Sequence, residues 1–141
     1  MNLIEVTQDL FETEQGYYLA HCISADFALG AGIAERFDEV YDMRKKLNKQ
    51  FAYRKRRVGY ALCIDNVFNL VIKDGCRDSA DYETLEDALI DMKEQMLEKD
   101  ITKLAIPRIA SNREKLQWYL VKRVIENVFE DTDIEILFCS L

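Results

Sequence analysis

The chain has 141 residues, 49% hydrophobic and 32% charged, which suits one domain around one core and argues against disorder. Its net charge of −7 argues against a general nucleic-acid binder, whose footprint is basic. No apolar stretch reaches the length of a membrane span, and the four cysteines (Cys22, Cys63, Cys76, Cys139) show no Cys-x-x-Cys spacing and accompany a single histidine, so no zinc site is expected.

Taken in chain order, Leu3 to Val6 reads as a short strand and Tyr17 to Ile23 as a second, rich in aromatic and β-branched residues. Ile33, Phe37, Val40, Tyr41 and Leu47 recur at helical spacing and predict one helix over about 31–48. Gly59 to Ile64 and Val67 to Lys73 are apolar runs parted by Asp65-Asn66, a hairpin signal. Asp81 is placed to cap the next helix, whose buried stripe is Leu85, Ala88, Leu89, Met92 and Met96. Lys103 to Ile109 reads as a strand with Pro107 near its end. A helix over about 114–130 is expected to bury Leu116, Leu120, Val124, Val128 and Phe129, before a closing strand from Ile134 to Cys139. This alternation predicts an α/β domain spanning 1–141, with a mixed sheet covered on both faces. Ligands of such sheets bind beyond the carboxyl ends of strands, so the Ser24–Gly32 loop, Lys73 and the Ala110–Arg113 loop can share one rim.

The first residues, Met-Asn-Leu-Ile-Glu-Val, lack a basic stretch ahead of an apolar one, so no signal peptide is expected. With cysteines lying mostly inside apolar runs, buried free thiols and a cytoplasmic location follow as expectations, with no membrane partner. The charge is unevenly spread. Eight of the nineteen basic residues lie between Arg44 and Arg57, among them Arg54, Lys55, Arg56 and Arg57. Such a stripe is either a solvated surface or a local phosphate contact.

The richest segment runs from His21 to Ala34. A strand ends, Gly30 and Gly32 bracket Ala31, and a helix begins at once. Glycines admit positive φ and close backbone approach, and a helix start presents unpaired N–H groups and the positive dipole end, which together suit a diphosphate. Gly-x-Gly alone is common. The wider set of blocks is specific: Gln8-Asp9-Leu10-Phe11, His21-Cys22-Ile23-Ser24, Gly30 to Ala34, Leu70 to Lys73, Asp81 to Leu85, Pro107-Arg108-Ile109, Leu116-Gln117-Trp118 and Phe138 to Leu141.

In that order these blocks resemble the macrodomain family of ADP-ribose-binding modules, and within it the terminal ADP-ribose glycohydrolase branch and its bacterial relatives that strip ADP-ribose from DNA. The resemblance covers nearly the whole chain. It implies a three-layer α/β/α domain with a central mixed sheet. It also implies hydrolysis of ester-linked or nucleobase-linked ADP-ribose, or of O-acyl-ADP-ribose, on protein or DNA, with no metal and no cofactor because the ligand is the substrate. A non-catalytic ADP-ribose reader is the alternative.

By the same resemblance Lys73 matches the branch's nucleophile, which attacks the anomeric carbon of the distal ribose and forms a lysyl–sugar intermediate. A lysine in water keeps its proton at neutral pH, with a pKa of about 10.4, so that role requires an environment favouring the neutral amine. A solvated strand end is the other reading of Lys73. Glu114 stands where the branch carries a catalytic aspartate. It is longer by one methylene, roughly 1.5 Å of reach, and its alternative is a first-turn acid favoured by the helix dipole. Asp9 matches the acidic residue that meets the adenine amino group, with Leu10 beside it; Asp9 serves equally as a turn cap. Gly30, Ala31, Gly32, Ile33 and Ala34 form the expected phosphate cradle. Ser24 lies on the approach to them, with Asp26, where hydroxyl and carboxylate can meet ribose. Pro107, Ala110, Ser111, Asn112 and Arg113 form the second ligand-facing loop. There the chain departs from the family, which carries glycines; Asn112 can take positive φ and Arg113 can add charge. His21 and Trp118 are expected in the core.

Overall fold

The computed structural model describes residues 1–54, 57–110 and 116–141. Six strands form one sheet: β1 (Asn2–Thr7), β2 (Tyr18–Ser24), β3 (Ala61–Ile64), β4 (Val67–Lys73), β5 (Lys103–Ile106) and β6 (Glu135–Ser140). Their order is β1-β6-β5-β2-β4-β3, with only β3, paired to β4, antiparallel. The β3–β4 connection is the expected hairpin, and Asp65 takes φ 51° at its turn.

The helices are α1 (Gly32–Tyr41), α2 (Met43–Phe51), α3 (Tyr82–Glu98) and α4 (Trp118–Phe129), with a 3-10 turn at Leu10–Glu12. Side chains of each strand alternate between two cores, as the two-residue period requires. Leu19 and Ile23 of β2 pack toward α1 and α2 with Phe37, Met43 and Leu47. Ala20 and Cys22 face the other side, with Leu85, Met92 and Met96 of α3 and Val121 and Ile125 of α4. The result is the expected three-layer α/β/α arrangement around a mixed sheet.

Two expectations need correction. The single helix over 31–48 is two helices, because Asp42 adopts the left-handed conformation (φ 56°, ψ 41°). Its N–H bonds the Asp38 carbonyl at 2.9 Å, and the Asp38 carboxylate accepts the Arg44 N–H at 2.9 Å. Local hydrogen bonds thus offset the left-handed cost for an aspartate. In the last helix the described residues enter the helix only at Trp118. Its buried stripe is Val121, Ile125, Val128 and Phe129, with Leu116, Leu120 and Val124 at the flank. Asp81 caps α3, its carboxylate accepting the Thr84 N–H at 2.8 Å, and the α3 stripe is the expected one. The β5 strand stops at Ile106, just before Pro107.

Candidate functional site

Strands β2, β4, β5 and β6 all deliver their carboxyl ends to one rim. There a cleft of about 550 Å³ opens between α1 and the loops after β2, β4 and β5. Its walls contain Asp9, Leu10, Ser24, Gly30, Ala31, Gly32, Ile33, Ala34, Lys73, Pro107 and Ala110, residues scattered from one end of the chain to the other. Ser111, Asn112, Arg113 and Glu114 lie outside the described residues.

One wall is the start of α1. Ala31 precedes the helix in extended conformation, and no side chain caps it. The first helical bond runs from the Glu35 N–H to the Ala31 carbonyl at 3.3 Å. The N–H groups before it therefore lack intrahelical partners and border the cleft with the positive dipole end. Of the glycine pair only Gly32 takes positive φ, 60°. A Cβ at Gly30 would meet nothing closer than the Ala28 carbonyl at 3.9 Å, an ordinary contact. The protein itself thus does not demand glycine at 30, which corrects the expectation of positive φ there. Phe27 and Leu29 instead take left-handed φ (54° and 42°), and both are buried.

Asp26 holds this loop in shape rather than facing the cleft. Its carboxylate accepts the Ser24 hydroxyl at 2.6 Å and the Ala28 N–H at 3.1 Å. Its other oxygen accepts the Cys76 N–H at 3.0 Å, from the loop after β4. Burial pushes its carboxyl pKa upward, but the bonds from Ser24, Cys76 and Ala28 outweigh it and hold the group below the usual carboxylate value.

Lys73 closes β4 opposite the glycine loop and is only 8% exposed. The pairing of β2 with β4 skips from Ile23–Val71 to Ser24–Lys73, a one-residue bulge at Ile72. Bulges re-aim the side chain that follows them. The Lys73 ammonium donates to the Cys76 carbonyl at 3.2 Å, and the side chain lines the cleft together with Gly30 and Gly32 rather than extending into bulk water.

At the other end, Asp9 caps the 3-10 turn, accepting the Phe11 N–H at 2.9 Å. It also pairs with the Arg36 guanidinium, whose Nη1 lies 3.1 and 3.0 Å from the two carboxylate oxygens. The bond from Phe11 and the pairing with Arg36 hold the Asp9 carboxyl below its usual pKa. Beneath the cleft, His21 is buried and stacks on Phe37 with ring centroids 3.9 Å apart. Its Nε2 lies 2.6 Å from Asn69 Oδ1, and Nδ1 has no hydrogen-bond partner among the described residues. Burial pushes the imidazole pKa down to about 4 against the opposing Asn69 bond. His21 is therefore a core residue, as expected, yet incompletely satisfied.

Arg36, Cys76, Arg108 and the carboxyl end of β6 also line the cleft and were not expected from sequence. Arg36 has one sequence signal, its place one helical turn after Gly32. Of the cysteines only Cys139 is buried; Cys22 and Cys63 are half-buried and Cys76 is exposed, which corrects the expectation of buried thiols. Trp118 packs edge-on against Phe138 at 4.9 Å, outside the cleft.

The basic stripe is elsewhere. Arg54 and Arg57 line a second cleft, of about 880 Å³, with Tyr53, Tyr60, Asp74, Asp87, Asp91 and Glu94. Lys55 and Arg56 lie outside the described residues. Among the described residues no group of three or more potential ligand side chains is placed to hold a metal, and no helix is long and apolar enough to cross a membrane.

No family model matches the chain. It is 37% identical to the human and the bovine ADP-ribose glycohydrolase OARD1, over 96% of this chain and 90% of those proteins. Among solved structures it superposes on the macrodomain of Mycobacterium tuberculosis DarG with a TM-score of 0.89 at 19% identity, covering 99% of this chain and 97% of that one. The macrodomain of Thermus aquaticus DarG gives 0.87 at 21%, with the same coverage. Thermosipho africanus DarTG, solved in complex with ADP-ribose, gives 0.83 at 16% over 99% of this chain and 42% of that one.

Proposed function

The chain belongs to the macrodomain family, in its ADP-ribose glycohydrolase branch, and we propose that its cleft binds ADP-ribose and that Lys73 carries out the hydrolysis. The observation that carries this reading is the buried Lys73 side chain, which lines the same cleft as Gly30, Gly32 and the uncapped start of α1. A diphosphate seated on the N–H groups of Gly32, Ile33 and Ala34 leaves the distal ribose to reach toward β4. Asp9 and Leu10 take the adenine end.

The uncharged Lys73 amine attacks C1 of the distal ribose. The bond from C1 to the acyl oxygen breaks, and its electron pair leaves with the carboxylate. Water then adds at C1, the C1–N bond breaks, and the amine returns to Lys73 as free ADP-ribose departs. Glu114 is the proposed proton carrier for both steps. The Cys76 carbonyl holds the lysine head within the cleft, which limits the positions it has to sample before attack. For DNA-linked ADP-ribose, Arg54, Lys55 and Arg56 are the proposed phosphate contacts; Arg57, expected among them, is left out because its guanidinium donates to the carbonyls of Ala25, Ala52 and Arg54.

The test incubates the protein with mono-ADP-ribosylated protein, with ADP-ribosylated DNA and with O-acetyl-ADP-ribose, and measures released ADP-ribose. Release by wild type and its loss in Lys73→Ala, with ADP-ribose binding kept in both, is the expected result. Binding without release in the wild type would make the chain a reader instead.

A further inference from the structure

Among the described residues the cleft has no phenyl, phenol or indole ring beside Asp9 and Leu10, although Phe11 lies against Arg36. Phe11 does not line the cleft; Arg36 does, with its Cζ 4.4 Å from the Phe11 ring centroid. The Arg36 side chain thus covers the ring at one place and lines the cleft at another, and it keeps 44% of its surface exposed. Nη1 is tied to both oxygens of Asp9. Phe11 in turn packs on Phe37, centroids 4.7 Å apart, so the support extends into the core under α1.

We propose that Arg36 is the plate on which the purine of the ligand stacks, a positioning residue that sets base preference. The proposal rests on the ADP-ribose reading above. A guanidinium is planar, weakly hydrated and polarising, and it stacks on π systems through either face. Here one face is already spent on Phe11, and the Asp9 pair fixes the head in place. Little side-chain freedom then remains to be lost when a base arrives. Asp9 is not used up by this pairing, because Oδ2 carries only the Arg36 bond and retains a lone pair for an exocyclic amino group. Edge recognition by Asp9 and face recognition by Arg36 would act on the same base.

The test compares ADP-ribose with UDP-ribose, whose smaller ring offers less stacking surface, by calorimetry on wild type, Arg36→Ala and Arg36→Lys. Lysine keeps the charge for Asp9 and lacks the plane. Both variants are expected to bind ADP-ribose roughly 5- to 30-fold more weakly and UDP-ribose less than about 3-fold more weakly, the range of one lost stacking contact. On O-acetyl-ADP-ribose, KM should rise while kcat stays. If Arg36→Lys binds as wild type does, Arg36 serves only as the partner of Asp9 and the proposal fails. An unchanged ratio between the two nucleotides in a folded Arg36→Ala overturns it equally, and should that variant unfold, Arg36→Lys decides alone. Wild type that binds neither nucleotide would instead overturn the ADP-ribose reading, and this one with it.

Discussion

Asp26 and Cys76 are fifty positions apart, and the Asp26 carboxylate accepts the Cys76 N–H at 3.0 Å. One residue thereby joins the glycine loop to the loop that carries the acceptor for Lys73. The Ala25 N–H bonds the Lys73 carbonyl at 2.9 Å, and the Asp26 N–H bonds the Asp74 carbonyl at 3.2 Å, so the two loops are sewn together around that carboxylate. Asp26→Ala removes three acceptor contacts at once and leaves the Ser24 hydroxyl and two backbone N–H groups to find water.

Asp26→Ala is therefore expected to lower kcat/KM by about 100-fold, as a misplacement near 1 Å does. The effect should fall on both kcat and KM, because the glycine loop and the lysine lose their common anchor. Kinetics on O-acetyl-ADP-ribose check this. A variant with wild-type kcat and KM would show that the loops hold their places without it.

The His21–Asn69 pair gives a pH dependence whose sign is fixed. The His21 imidazole titrates near 4 in the fold and at its ordinary value of 6.5 once unfolded. Above 6.5 both states are neutral and nothing changes. As pH falls from 6.5 toward 4, only the unfolded chain takes up the proton, so stability declines, by roughly 3 kcal/mol in all. His21→Gln should remove that part of the decline. Urea unfolding at pH 7.5 and pH 5 on both proteins measures the difference; equal slopes would show that His21 is protonated in the native protein.

The layer order, the hairpin, the Asp81 cap and most buried stripes were legible in the sequence, because two-residue and 3.6-residue periods report which face meets the core. The break at Asp42 was not. Met43 and Leu47 continue an apolar spacing, and a left-handed aspartate leaves no periodic trace. The glycine loop and Lys73 were legible as a pair through the blocks around them, whereas the bulge that re-aims Lys73 depends on pairing with β2. Arg36 was hidden for a similar reason: its meaning comes from Phe11 and Asp9, which reach it only after folding. Asn112, which can take positive φ, lies outside the described residues, while Ala110 shortly before it takes φ 60°, a conformation alanine adopts at a cost that glycine would not bear.

Arg57 separates the two uses of the basic stripe. Its guanidinium donates to the carbonyls of Ala25 (2.7 Å), Ala52 (2.9 Å) and Arg54 (3.0 Å), and lies over Phe27 at 4.2 Å. Arg57→Met leaves those carbonyls unpaired and should cost roughly 2–3 kcal/mol, the scale of bonds to a charged group. It should weaken every ADP-ribose substrate alike, since Ala25 opens the glycine loop. Charge reversal at Arg54, Lys55 and Arg56 should instead slow release from DNA and spare O-acetyl-ADP-ribose. Thermal melts and the two substrates side by side distinguish these outcomes, and equal losses on both substrates in the triple variant would remove the DNA contact.

Cys76 offers a chemical handle on the same cleft. It is exposed, it lines the wall beside Lys73, and its backbone is pinned on both sides, by Asp26 at its N–H and by Lys73 at its carbonyl. A thiol reagent such as N-ethylmaleimide therefore adds bulk to a fixed point of the wall rather than to a loop that can swing away. Modification at Cys76 should abolish ADP-ribose binding and hydrolysis, bound ADP-ribose should slow the modification, and Cys76→Ser should keep activity in the presence of the reagent. Cys22 also lines the cleft but is half-buried, and Cys139 is buried, so both should react more slowly. Mass spectrometry of the labelled sites, read against residual activity, assigns the loss; inactivation that persists in Cys76→Ser would place the sensitive thiol at Cys22 or Cys139, which also line the cleft.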